Sequence, residues 1–476
     1  MNNTQKIALN TAVQLLGKAV TVATSVLIIA YLTRYLGVSG YGDYATIFAY
    51  LGVFGTVLDL GLFVIAVREI AKSPQTERVI LGNMMGLKLS LSCLVLGVAY
   101  GLTFILPYPE IVRYGILIGA ISQLFISLNQ VPLGSFQANL TMYKATLSDV
   151  VGRFLLLGLI WWLIQHHAGL LDVIWVVAII NTVVFLLNIA MVGMKYWLMP
   201  LFDWRQWRVL FMASLPMGMV MVLGVVYFRI DTLMLAAIKG SFAVGIYSAP
   251  YKILEVLLAV PSIFMSSVIP VMTTAWQRSP IAANRVFQRA FNFLSLAAFP
   301  LIVGVVVTAT PIILLIAGTD FRLSGPVLQI LIFAIGGSFL NSVMIYTIMA
   351  ADQQYRLIWP YIFATVFNVV ANLIFIPGFS YWGAAVVTVL TELLVLVISL
   401  YIVRKYLQLS LNWTVLGKTL FSSLVMGGIL YYFRDLSLWW LIILGAVVYT
   451  GMVVLTKAVS WQEIKEIIPR LSVVRK

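Results

Sequence analysis

The sequence predicts an all-α polytopic membrane protein with about 14 transmembrane helices, arranged as two parallel-repeat six-helix lobes plus two C-terminal helices. Three observations predict it. Of the 476 residues, 62% are hydrophobic and only 10% charged, and the mean hydropathy is +1.04; a soluble globule does not have this composition. Apolar runs recur from one end to the other at the roughly 20-residue length that a bilayer core demands of a helix. Finally, two stretches offset by 203 residues carry one pattern, Gly37-x4-Gly42-x-Tyr44 and Gly240-x4-Gly245-x-Tyr247, each at a break between long apolar runs.

Taken in order, the spans fall at residues 10–34, 41–66, 79–106, 113–137, 144–164, 169–194 and 208–236, then at 242–273, 286–316, 324–349, 356–377, 382–404, 413–433 and 437–456. The first six form an N-terminal lobe over 1–194, and 195–207 is a linker. Six more form a C-terminal lobe over 208–404; two additional spans occupy 405–456, and 457–476 is a basic tail. The linker carries Trp197, Trp204 and Trp207 beside Lys195 and Arg205, and indole rings with basic groups favour the headgroup level.

The Gly/Tyr copies join spans one to two and seven to eight, so both run in the same direction through the membrane. Each copy alone reads as a tight turn with an interfacial ring; the duplication makes it a parallel repeat with its pseudo-twofold axis along the membrane normal, a transporter's construction. A second echo supports it: Leu128-Asn129-x-Val131 precedes Tyr143-Lys144, and Leu340-Asn341-x-Val343 precedes Tyr355-Arg356, at identical internal spacing.

An even number of spans puts both termini on one side, and the cations say which. With the N-terminus inside, the cytoplasmic segments hold clusters such as Arg68, Lys72 and Arg78, then Arg278, Arg285 and Arg289, and the tail, whereas the opposite loops hold only scattered ones such as Arg34 and Arg434. The net charge of +14 is therefore mostly topology, and no basic run accompanies a groove-reading motif, so no nucleic-acid partner is expected. The first apolar run exceeds a signal-peptide core, lacks a small-residue cleavage site and is expected to remain as a span. The single cysteine, Cys93, excludes a disulfide within the chain. His166-His167 stands in an outer loop without further ligands at metal spacing, so no metal is expected.

Charged residues within spans are the main functional signal, since each costs about 2.5 to 3.5 kcal/mol at the bilayer centre and rarely faces lipid. The cations are Lys18, Lys88, Arg153, Arg229 and Lys252; the acids are Asp59, Asp149, Asp231, Glu255 and Glu392. Asp149 with Arg153 and Lys252 with Glu255 are four and three apart, so each pair shares a helix face and fits a structural bridge as well as a site. Arg229 and Asp231, two apart, cannot share a face. Lys18 and Lys88 have no carboxylate within one turn, and a substrate phosphate is one anion that suits such a cation. Asp59 and Glu392 suit a coupling Na+ or proton, and equally a polar contact between helices.

Two of these segments, YLTRYLGVSGYGDYATIFAYLGVFGTVLDLGLFVIAVREI at 31–70 and YFRIDTLMLAAIKGSFAVGIYSAPYKILEV at 227–256, resemble the Wzx-type polysaccharide-export flippases. The likeness extends over essentially the whole chain, including the six, six and two arrangement. It implies a flippase that moves undecaprenyl-pyrophosphate-linked oligosaccharide repeat units between leaflets of the bacterial inner membrane by alternating access, driven by an ion gradient. The family's cationic cavity maps onto Lys18 and Arg229, with Lys88, Arg153 and Lys252 as further members; Asp59, Asp231, Glu255 and Glu392 are the coupling-ion candidates. Implied partners are the lipid-linked oligosaccharide, membrane lipids, a polysaccharide polymerase and a chain-length regulator.

Two relatives within the same superfamily remain as alternatives: a lipid II flippase, and a multidrug or cation antiporter, which normally stops at twelve spans and favours acidic pockets. A facilitator-type sugar transporter is disfavoured because the loop from Arg68 to Arg78 lacks the expected Gly/Asp/Arg pattern. A glycosyltransferase or polymerase needs catalytic acids and a large outer loop, whereas every loop here is short, and no nucleotide-binding glycine loop follows a strand. The expected protein is a transporter and not an enzyme.

Overall fold

The structure, a computed structural model, describes residues 3–192 and 199–458. The predicted tail beyond residue 458 and linker residues 195–198 lie outside them. Among the described residues there are thirteen α-helices and no β-strand: α1 (Asn3–Asp59), α2 (Leu62–Lys72), α3 (Glu77–Leu102), α4 (Glu110–Ala138), α5 (Tyr143–Gln165), α6 (Leu170–Val192), α7 (Trp204–Lys239), α8 (Ser241–Arg278), α9 (Pro280–Ala317), α10 (Ser324–Ala350), α11 (Ile358–Tyr406), α12 (Trp413–Tyr432) and α13 (Leu438–Leu455). Among the described residues twelve helical stretches are long and apolar enough to cross a membrane. Two of them, 57 and 53 residues long, are each long enough for two crossings of roughly 20 residues, which accounts for the about fourteen spans of the sequence reading. The double-length stretches bend where the sequence predicts breaks. Gly37 interrupts α1 at φ 65 and ψ −175, and Ser380 interrupts α11 at φ 51 and ψ −134, three residues after Pro377.

The chain divides into two compact units: Met1–Ser248 with Ile316–Asp320 and Asn372–Tyr381, and Ala249–Leu315 with Phe321–Ala371 and Trp382–Lys476. In the first unit a core forms where α2, α3, α4 and α7 meet, built from Leu62, Ile65, Leu81, Met84, Val131 and Leu210. At the start of α7, the Asp203 carboxylate accepts the Arg205 and Gln206 amides, an N-cap that satisfies two otherwise orphaned donors. In the second unit Met426, Leu430 and Leu441 of α12 and α13 pack against Val303 and Val307 of α9. The outer faces stay apolar, with Trp439 and Val447 of α13 each 67% exposed; a lipid tail satisfies such a face as well as a protein core does.

Both copies of the Gly/Tyr pattern fall in the first unit and share one backbone. Gly240 separates α7 from α8 at φ 78 and ψ −175, close to the angles of Gly37, in a region that L side chains essentially never occupy. A Cβ at either position would have open space around it, so the backbone angle, not crowding, requires glycine there. Gly42 and Gly245 present the reverse case. Both are helical, and a Cβ on Gly42 would overlap the Ser241 carbonyl oxygen while one on Gly245 would overlap the Val38 carbonyl oxygen. Since 38 and 42 correspond to 241 and 245 at the repeat offset, this is a reciprocal contact across a twofold axis.

Candidate functional site

The cations predicted in the first lobe sit in two settings. Lys18, in α1, is exposed; next to it Gly17 lets α1 approach Thr146 of α5 so closely that a Cβ would collide with that side chain. This contact sets Lys18 beside the charged face of α5, where Lys18 and Arg153 are both within electrostatic reach of the Asp149 carboxylate. Arg153 also acts on the Tyr44 hydroxyl of the first repeat copy. The α1 register is held near its N-terminus by Asn10, whose amide donates to the Leu140 carbonyl and whose oxygen accepts the Tyr143 amide at 3.3 Å. Two cations and one acid thus leave a net positive patch between two spans.

Lys88 is fully buried and forms an ion pair at 2.6 Å with Asp59. The carboxylate that Lys88 lacks on its own helix comes from the end of α1, 29 residues earlier. Beyond Asp59 the chain breaks at Leu60 and Gly61, both at positive φ, and the backbone of Leu60 lies against Gly218 of α7. A buried pair of this kind is neutral overall, and removing one partner costs about 3 to 5 kcal/mol.

Around the second copy the chemistry is acidic. Asp231 of α7 is 2% exposed and accepts the Tyr247 hydroxyl at 3.1 Å and the Asn372 amide at 2.6 Å. Arg229, half-buried on the same helix, is itself engaged by neighbouring groups. Ser241 donates to Asp43, so the glycine crossing carries a carboxylate in contact with it. In the second unit, Lys252 and Glu255 pair at 2.5 Å along one face of α8, as their spacing allows, and the buried Glu392 accepts the Ser338 hydroxyl at 2.6 Å.

The structure therefore sets Lys18 and Arg153 each within electrostatic reach of Asp149, joins Lys88 with Asp59 and Lys252 with Glu255, and gives Asp231 and Glu392 their own partners. Asp43 and Asn372 were not singled out by sequence reasoning, and Tyr247 was singled out only as the interfacial ring of its repeat copy. Asn372 had a signal: with Asn368 it places two amides four apart on one face of an apolar helix. Among the described residues no group of three or more His, Cys, Asp or Glu side chains is placed to hold a metal ion.

Comparison with known proteins follows the same lines. Residues 7–276 match the model of a family described as polysaccharide biosynthesis protein. A curated relative, the probable low-salt glycan biosynthesis flippase Agl15 of Haloferax volcanii, is 23% identical over 257 residues, 52% of this chain and 54% of the relative; the match spans about half the length of that relative. Among solved structures, the lipid II flippase MurJ in an inward closed conformation superposes with a TM-score of 0.78 at 16% identity, over 94% of this chain and 99% of that one. An inward-facing multidrug resistance MATE family transporter of the MOP superfamily superposes with a TM-score of 0.68 at 14% identity, over 82% of this chain and 94% of that one. At these identities the likeness is one of fold.

Proposed function

The chain belongs to the polysaccharide biosynthesis protein family, and we propose that it is a flippase of the MOP superfamily that carries undecaprenyl-pyrophosphate-linked oligosaccharide repeat units from the inner to the outer leaflet of a bacterial inner membrane, with both termini cytoplasmic. The observation that carries this reading is the Lys18–Asp149–Arg153 cluster: two cations and one acid between α1 and α5, within spans where an uncompensated cation is costly. A pyrophosphate supplies the missing negative charge, and each charge-assisted hydrogen bond to it is worth about 1.5 to 3 kcal/mol. Arg229 is proposed as a third contact. Lys88 and Lys252, each joined to a carboxylate, fit internal bridges that keep their helices neutral.

Coupling falls to the acids. Asp231 and Glu392 are carboxylates buried within spans, where an acid suits proton exchange or Na+ binding; Asp59 and Glu255 are the further candidates. The glycan biosynthesis relative supports a lipid-linked glycan as substrate. The lipid II flippase covers more of this chain than the multidrug transporter does, in keeping with the two added spans. A polysaccharide polymerase and a chain-length regulator are the proposed downstream partners.

The test is flipping of a fluorescent undecaprenyl-pyrophosphate oligosaccharide in proteoliposomes under an imposed Na+ or proton gradient. Transport by the intact chain, lowered tenfold or more by Lys18→Ala and by Arg229→Ala, is expected. Unchanged transport in both variants overturns the site. Flipping of lipid II in place of the oligosaccharide, or efflux of a cationic dye, overturns the substrate.

A further inference from the structure

We propose that a bilayer phospholipid with an anionic headgroup binds where Arg356, Arg404 and Lys405 gather among exposed aromatic rings at one end of the second unit. Arg356 lies two residues before the start of α11, and Arg404 and Lys405 lie in its last turn. The Arg356 guanidinium lies 3.8 Å from the centre of the Tyr406 ring, which brings the two ends of this bent helix together. Arg404 lies 5.7 Å from the Trp413 ring at the start of α12, adding a third helix end.

The contacts that hold these cations leave donors available. A cation–π contact over a ring face engages the charge of the guanidinium and leaves its N–H groups for other partners. Among the described residues Arg356 commits only its Nε, which donates to Gln353 at 2.7 Å. The remaining fork matches two oxygens of a phosphodiester. Lys405 donates to the Tyr401 hydroxyl at 2.5 Å and has two further protons to offer. Among the described residues none of the three cations is ion-paired with a carboxylate. The acid nearest Arg356 in sequence, Asp352, is itself exposed.

The surroundings are those of a headgroup site. Tyr355, Tyr401, Tyr406 and Trp413 are all exposed beside the cations, and amphipathic rings at helix ends settle at the membrane–water boundary. Basic pockets between transmembrane helices at that level bind anionic headgroups. The repeat supplies an internal control: Lys144, counterpart of Arg356 in the second echo, donates to the Met191 carbonyl at the end of α6 at 2.9 Å. There the backbone takes the charge; in the second unit it is offered outward.

The experiment compares the full chain in phosphatidylcholine nanodiscs with and without phosphatidylglycerol, reading the thermal midpoint and, by native mass spectrometry, the retained lipid. The intact chain is expected to gain stability and to retain phosphatidylglycerol. The triple variant Arg356→Gln, Arg404→Gln, Lys405→Gln loses both, whereas Arg78→Gln, Arg278→Gln, Arg285→Gln, exposed cations with no ring contact among the described residues, keeps both. Each cation near an anionic surface accounts for roughly a fivefold change in binding, so the single Lys405→Gln shows an intermediate loss even where the triple variant fails to fold. No response in the intact chain, an undiminished response in Lys405→Gln and the triple variant, or an equal loss in the control variant overturns the site.

Discussion

The two Gly/Tyr copies share a backbone and divide the chemistry. At the repeat offset Gly37 matches Gly240 and Gly42 matches Gly245, and each pair performs the same structural task. The charged positions do not match. Opposite Lys18 stands Met221, opposite Asp59 stands Ser262, and opposite Arg229, Asp231 and Lys252 stand Val26, Ile28 and Ala49. Even the shared tyrosines differ in company, since Tyr44 lies within electrostatic reach of Arg153 and Tyr247 donates to Asp231. What both halves need for bending and crossing is retained in both, while each charge is needed once. The result is a cationic cluster near one copy and a buried acid near the other.

The comparison breaks or sharpens under substitution, read as unfolding free energy in detergent. Asp59→Asn leaves Lys88 buried without its counter-ion and is expected to cost about 3 to 5 kcal/mol, whereas Ser262→Ala at the matching position shifts stability by at most about 0.5 kcal/mol. Comparable losses at both would show the charged layer to be shared after all. Gly42→Val and Gly245→Val each drive a side chain into backbone and are expected to lose roughly 3 kcal/mol or more; the losses should agree with one another, and a loss at one position alone would break the reciprocity. Tyr247→Phe removes a hydrogen bond to a carboxylate, worth about 1.5 to 3 kcal/mol, and Tyr44→Phe should stay within about 0.5 kcal/mol. Gly37→Ala and Gly240→Ala impose backbone strain of about 1 to 3 kcal/mol each, smallest where the helix ends relax, and again paired.

Much of the architecture was legible because the bilayer writes it in length and hydropathy. The span count, the breaks at Gly37 and near Ser380, and the Lys252–Glu255 bridge all follow from local spacing. The partners of the other charges were not legible. Lys88 finds Asp59 on another helix, and Asp231 finds Asn372 across 141 residues. In a soluble helix the apolar stripe reveals which face meets a neighbour, but a span that is apolar all round carries no such stripe. Register between spans is decided instead by small residues such as Gly17, whose neighbour in space, Thr146, is nowhere near it in sequence.

The crossing at Gly42 and Gly245 has one more implication. A surface in which position 38 meets position 42 of the other copy, and position 42 meets position 38, is the contact that two identical chains make when they pair about a dyad. Here both partners lie on one polypeptide, so a contact of the dimer type is made within a single chain. Two segments 203 residues apart in sequence thus meet as identical subunits do, and a bulky side chain at either glycine would be felt at both ends of the contact.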